Sequence, residues 1–515
     1  LNKKLMDWKT FWGALSLLIS VSLPLIIFPK KGKEIVLAVN DIVTQRLGLL
    51  FLSIGLIMLL FLLFVGISRY GDIKLGDKET NPEFRTWSWA AMLFTSGIGT
   101  GILYWGVIEW AYYYQGPPFG IEAGSKEAIQ WASTYGFFHW GPIAWAMFAI
   151  PALPIGYLFF VKKADVFKIS EACRPVLGKH TDGPIGRMID ILFMFGLLGG
   201  GGTGLALSAP IISAGLNNLI GMPDNIMTKS IILLVCTMIF GFSAYSGLQK
   251  GIRFLSDINL WLAFVLLLFI FVVGPTSFIM ESTGTALGRM MDNFFTMSLW
   301  AEPFNDLGPF ERSGFPEGWT VFYWAWWIVY APFVGLFIAR ISKGRTIRQV
   351  VFGTILFGSL GTILFFGILG NYSMHLELSG QFSVVETMNQ QGDAAAIIGT
   401  LTQLPFSTIA VIIFVLLATV FLSTTYDSGS YVIASVVQKR VEGEPIRLNR
   451  LFWALALSVL PMIFMYLGGL TTLQTISIIG GFPLLIILPI LGCSFIKMVN
   501  KDKETEEMKD KRKAS

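Results

Sequence analysis

Histidine, cysteine and charge are all scarce in this chain of 515 residues, which has three His, three Cys and only 14% Asp, Glu, Lys and Arg combined. Cys173, Cys236 and Cys493 lie far apart, without metal-ligand or disulfide spacing. No zinc or histidine-based nucleophile pattern can be assembled from His139, His180 and His375. Paired carboxylates at catalytic spacing are missing as well, so an enzyme is not expected and neither is a cofactor. The shortage of charge excludes a water-soluble globule, because 54% of the residues are hydrophobic and the mean hydropathy is +0.65. Alternating ten-residue strands, which an outer-membrane barrel needs, are not seen either.

What the chain has instead is repeated apolar runs of about 20 residues, the length that crosses roughly 30 Å of hydrocarbon. They predict an all-α, polytopic membrane protein with twelve spans near 10–28, 48–68, 87–114, 128–160, 187–216, 228–246, 254–280, 318–339, 349–373, 404–436, 450–469 and 473–496. Several exceed a straight crossing, which implies tilt or interruption. The first run lacks a small-x-small cleavage signal and reads as a retained span. With these spans, 30 of the 38 Lys and Arg fall on one side and 8 on the other, which predicts both termini in the cytoplasm and a multi-pass protein of the cell membrane. That bias absorbs the net charge of +5, so no nucleic-acid partner is expected and the bilayer is the large partner.

Aromatic residues crowd the eighth span. "GWTVFYWAWWIVYAPFVG" carries Trp319, Phe322, Tyr323, Trp324, Trp326, Trp327 and Tyr330. An interfacial belt accounts for Trp319, but Trp326, Trp327 and Tyr330 lie roughly 12–18 Å deeper at about 1.5 Å per residue. A second set, "FFHWGPIAWAMF", puts Trp140, Trp145 and Phe148 around the middle of the fourth span, with Gly141 and Pro142 loosening the helix between the tryptophans. The third span has Gly97, Gly99 and Gly101 at its midpoint, where backbone can unwind and approach a ligand. Close helix packing is the plainer reading of such glycines. Spans three and eight run in opposite directions, so spans 3–7 and 8–12 are expected to be two inverted five-helix repeats. The organisation expected is a tail with two helices (1–86), the first repeat (87–280), an extracytoplasmic loop with an interfacial helix (281–317), the second repeat (318–497) and a short charged tail (498–515).

Rings without a carboxylate at the same depth suit a cation that donates no hydrogen bonds, and each good ring at a desolvated site contributes about 2 kcal/mol by cation–π attraction. A sugar site would need many more Asn, Gln, Asp or Arg side chains among the rings. Glu109 and Asp427, ionisable residues inside spans, are either functional or hydrogen-bonded to loosened backbone.

The stretches "GWTVFYWAWWIVYAPFVGLFIARISKGRT" and "FFHWGP", with the length and twelve spans, closely resemble the betaine/choline/carnitine transporter family. The resemblance covers nearly the whole chain. It implies a homotrimer of inverted-repeat protomers carrying a trimethylammonium compound, glycine betaine first and carnitine next. It places Tyr112, Trp140, Trp145 and Trp327 in a central aromatic box with Tyr330 beside it, and Phe322 and Trp326 on the outer access path. It also implies a sodium site of oxygen ligands from Thr95, Ile98, Thr424 and Thr425. A sodium-independent exchanger branch lacks the hydroxyl pair, replaces Gly97, Gly99 and Gly101 by larger residues, and carries Arg at the position of Asn259. This chain matches the sodium-coupled branch at each, so symport is expected, with exchange as the rival. A non-transporting membrane sensor of the same ligands would be expected to carry a signalling domain or long charged tails.

Overall fold

The structure, a computed structural model, describes residues 5–97, 99–164, 168–200, 203–246, 251–304, 311–439, 441, 444–467 and 470–514. Among them the chain is all-helical, apart from two isolated antiparallel bridges, Met6 with Gln438 and Lys74 with Thr346. All twelve expected spans coincide with helices. Spans one and two are α1 (Trp8–Ile27) and α2 (Pro29–Ile67). The third is split into α3 (Thr86–Gly97) and α4 (Gly101–Gln115), and the fourth into α5 (Lys126–His139) and α6 (Pro142–Gly156). A short α7 (Ile169–Leu177) leads to the fifth, split into α8 (Pro184–Gly200) and α9 (Thr203–Ile220). Spans six and seven are α10 (Ile226–Ser246) and α11 (Gly251–Val273), followed by α12 (Thr276–Asp292) and α13 (Phe294–Leu299). The second half has α14 (Phe322–Ile341), α15 (Ile347–Phe365), the loop helices α16 (Asn371–Leu378), α17 (Val384–Gln391) and α18 (Asp393–Thr402), then α19 (Ser407–Val436), α20 (Arg447–Leu467) and α21 (Leu470–Ala514).

Three boundaries differ from the expectation. α2 begins at Pro29 rather than near 48, because proline is well placed at the first helical position and nothing after it breaks the pattern. The interfacial helix begins at Thr276 rather than 281, since Gly274 and Pro275 interrupt the run and the axis turns by 108° there. The charged C-terminal segment continues α21 as helix and is tied back to the sixth helix's end, where Asp502 accepts from the Tyr157 hydroxyl at 2.6 Å and pairs with Lys162.

α14 packs against α6, α21 and α8 and lies at the centre of the fold. Small residues let backbones meet there, as membrane helices without a hydrophobic drive between them require. A β-carbon at Gly335 would come within 2.7 Å of Pro151 on α6, and one at Gly481 within 2.6 Å of the Ala325 carbonyl. Gly358 on α15 carries the ring of Trp145, which a β-carbon would meet at 2.0 Å. A rigid indole cannot yield by that much, so Gly358→Ala is expected to destabilise the protein by about 1–3 kcal/mol. Gly288→Ala on α12, where nothing lies within 4 Å, is expected to be neutral. Thermal unfolding of the two variants in detergent checks the contrast.

Candidate functional site

Three spans break where the sequence offers glycine. α3 gives way to α4 between Gly97 and Gly101. α5 stops at Trp140, because Gly141 adopts a non-helical conformation (φ −97°, ψ −144°) and Pro142 starts α6 without a donor to offer. α8 ends at Gly200 and α9 starts at Thr203. The breaks meet at one cavity, lined by Gly99, Thr100, Gly101, Trp140, Gly204, Trp326, Trp327, Tyr330, Thr425 and Tyr426. Its empty space is about 390 Å³, counting the part open to solvent. A second cavity shares Tyr330, Thr425 and Tyr426 and is lined further by Phe333, Gly429 and Leu457, toward the C-terminal ends of α14 and α19.

A broken helix leaves backbone carbonyls without partners, and inside a bilayer they must find other donors. The adjacent tryptophans of α14 supply two. Trp327 Nε1 donates to the His139 carbonyl at 2.8 Å, closing the end of α5. Trp326 Nε1 donates to the Gly200 carbonyl at 3.3 Å, closing the end of α8. The Thr362 hydroxyl donates to the Trp140 carbonyl at 2.7 Å.

These bonds fix the rings. Trp326 and Trp327 lie 5.0 Å apart at 15°, and Trp140 stands edge-on to both, at 5.9 and 4.7 Å. Tyr330 meets Trp326 at 6.3 Å and 72°. Gly101 lets α4 approach: a β-carbon there would lie 3.0 Å from the Trp326 ring and 3.6 Å from that of Trp140.

Trp140 is oriented from behind by a buried polar network. Glu109 accepts from Trp140 Nε1 at 3.0 Å, from the Tyr113 hydroxyl at 2.6 Å and from the Tyr323 hydroxyl. Because Tyr113 donates to Glu109, it accepts from Nδ1–H of His139 at 2.8 Å, which leaves Nε2 to accept from the Thr320 hydroxyl at 3.0 Å. The carboxylate is fully buried behind the ring wall and does not line the cavity.

The residues expected from the sequence divide clearly. Trp140, Trp327 and Tyr330 line the cavity with Gly99 and Gly101. Trp326, expected on the access path, lines it too, while Phe322 stacks on Trp326 at 5.5 Å, one turn further out. Trp145 is not brought there; it packs on Gly358 and edge-on to Phe148. Nor is Tyr112, whose hydroxyl bonds to Asp393 and whose ring meets Trp105 and Trp319. Trp319 belongs to that cluster, 4.8 Å from Tyr113, rather than to a free interfacial belt. Gly97 ends α3, whereas Ile98 and the Thr95 side chain lie outside the described residues.

Thr425 and Thr424 point apart. The Thr425 hydroxyl lies 3.2 Å from where a β-carbon of Gly99 would be and donates to the Phe421 carbonyl at 2.9 Å. Thr424 faces α11, where Asn259 Nδ2 donates to it at 3.5 Å. Asp427, one turn further along α19, pairs with Arg450 at 3.5 Å, both side chains being buried.

The break between α8 and α9 escaped the sequence reading, although four consecutive glycines, Gly199 to Gly202, mark it. The fifth span read there as a continuous apolar run.

Broken helices converging on an aromatic cavity inside a polytopic helical bundle are an arrangement that membrane transporters use. The family model described as BCCT, betaine/carnitine/choline family transporter, matches residues 9–504, and the chain belongs to that family. It is 35% identical to the glycine betaine transporter OpuD of Bacillus subtilis (strain 168), over 96% of this chain and 94% of that one. It is also 35% identical to a carnitine transporter of Acinetobacter baumannii, over 88% of this chain and 81% of the other. An uncharacterized transporter of Escherichia coli (strain K12), YeaV, matches at 34% over 88% and 92%.

Glu109→Leu removes the acceptor of three buried donors, and each donor left unmet costs about 1–3 kcal/mol. That variant is expected to lose roughly 3 kcal/mol of stability or more and to shift tryptophan emission as Trp140 is released. Glu109→Gln keeps an acceptor oxygen and is expected to lose less than half as much. Thermal melting with fluorescence readout separates the two.

Proposed function

We propose that the protein imports a trimethylammonium zwitterion, glycine betaine first and carnitine next, by sodium symport with alternating access around the aromatic cavity. The observation that carries this reading is the cavity lining: the rings of Trp140, Trp326, Trp327 and Tyr330, with no charged side chain among the lining residues. The three indole N–H groups are spent on Glu109, Gly200 and His139, so these rings offer their π-systems rather than donors. A quaternary ammonium needs nothing else from them. The relatives named for glycine betaine and for carnitine support the same ligand class. In this reading Trp326 is part of the box, and Tyr112 and Trp145 support it from outside.

For the ion, the Thr425 hydroxyl beside the Gly99 backbone supports a hard-oxygen sodium site at the α3–α4 break. At position 259 an uncharged amide beside Thr424 leaves no fixed cation to replace the ion, which favours symport over the sodium-independent exchanger. The Lys and Arg bias supports a multi-pass protein of the cell membrane with both termini cytoplasmic. A homotrimer rests on the family alone.

Uptake of labelled glycine betaine, carnitine and choline into proteoliposomes tests the reading. Uptake of the zwitterions is expected to rise at least tenfold with an inward sodium gradient; equal uptake without sodium overturns symport. Trp327→Leu removes the ring and, like Trp327→Phe, the donor to the His139 carbonyl, so about 2 kcal/mol of ammonium binding or more, at least some thirtyfold in affinity, is expected to go. Near-normal affinity refutes the ring's role. Trp327→Phe keeps a ring face but strands the His139 carbonyl, and is expected to bind with intermediate affinity and melt lower.

A further inference from the structure

Asp393 opens α18, in the stretch 374–403 that holds no Lys or Arg and so lies on the side read as extracytoplasmic. Both of its carboxylate oxygens accept from the Tyr112 hydroxyl at 2.9 Å, and one also accepts from the Tyr104 hydroxyl. The two tyrosines sit on α4 about 12 Å apart along the axis, so a single carboxylate clasps that half-helix at two heights. α18 also packs against α9. α4 and α9 are the half-helices whose first turns, at Gly101 and Gly204, line the cavity. α18 therefore bridges the outer reaches of both, whereas toward the basic side the second cavity continues past Phe333, Gly429 and Leu457.

We propose that Asp393, Tyr104 and Tyr112 form a latch that holds α18 down on α4, closes the outer route to the cavity, and must release for substrate to enter. The chemistry suits a two-state contact. Hydroxyl-to-carboxylate bonds are strong when shielded, and on opening water replaces them at a carboxylate that is only half-buried even when closed. Release thus strands no buried charge. A latch also explains why Tyr112, with its ring expected at the aromatic box, is held elsewhere in this state.

The experiment uses the full chain in intact cells, with Cys173, Cys236 and Cys493 replaced by serine and one reporter substitution, Phe322→Cys, on the outer flank of Trp326. The readout is the rate of modification by a membrane-impermeant maleimide added outside. Asp393→Ala is expected to raise that rate at least fivefold, and Tyr112→Phe and Tyr104→Phe, which keep their rings, at least twofold each. The two phenylalanine variants decide the matter if Asp393→Ala does not fold. Rates within 1.5-fold of the background in every folded variant overturn the latch. Labelling needs neither substrate nor sodium, so this outcome is separate from the fate of the proposed symport.

Discussion

A helix cannot be broken in hydrocarbon unless something else takes up the carbonyls it leaves behind, and this fold breaks three helices around one cavity. The rest of the site depends on how those carbonyls are met. Two of them are met by neighbouring indoles of one helix, Trp326 toward Gly200 and Trp327 toward His139. Side chains at consecutive positions of a helix diverge by about 100°, so the pair reaches two different broken spans from one backbone. α14 consequently joins the two breaks while being continuous itself from Phe322 to Ile341.

The capping bonds decide what the cavity can recognise. An indole whose N–H is directed at a backbone carbonyl has little to offer a ligand except its ring. Trp140 is in the same position, its N–H held by Glu109. A ligand would find these three indoles offering rings rather than donors, the hydroxyl-bearing residues of the lining being Thr100, Tyr330, Thr425 and Tyr426, and one that needed a counter-charge would find the carboxylate behind the rings rather than among them. The same bonds that allow the helices to break therefore engage the indole donors and leave the ring faces to the cavity. Stability of the breaks and the proposed selectivity for an ammonium headgroup would then be two results of one arrangement.

Helices were legible at all twelve expected spans because apolar runs mark them, although among the described residues seven, or eight with the bent pair, are by themselves long and apolar enough to cross a membrane, and two breaks were legible because glycine and proline interrupt them in plain sequence, at Gly97–Gly99–Gly101 and at Gly141–Pro142. Depth along a span was legible too, and together with the family resemblance it put Trp140, Trp327 and Tyr330 where the cavity lies. Azimuth was not. Trp145 sits five residues beyond Trp140, but the break between them reorients the helix, and its ring meets Gly358 instead. Tyr112 shares α4 with Gly101 yet lies three turns away, within reach of Asp393 on a loop helix that apolar periodicity does not reveal. Trp319 looked interfacial by depth, whereas its neighbours Tyr112, Tyr113 and Trp105 come from another span. Each of these depends on which elements pack together, information that a single span does not carry.

The break between α3 and α4 has a further consequence for coupling. Gly99 lies against the Thr425 hydroxyl, and two residues later Gly101 lies against the rings of Trp326 and Trp140. The proposed ion site and the proposed ammonium site therefore share one short stretch of unwound backbone. A cation held there would draw the carbonyls of that stretch toward Thr425 and so shift the chain at Gly101, and with it the distance between α4 and the aromatic wall. Side chains at 99 or 101 would separate the two events by filling the space through which the backbone moves: a β-carbon at 99 already approaches the Thr425 hydroxyl at 3.2 Å, and one at 101 approaches Trp326 at 3.0 Å. The glycines are thus more than a way of bringing helices close. Glycine leaves that segment free to bend between the two proposed sites, so that occupation of one would be felt at the other.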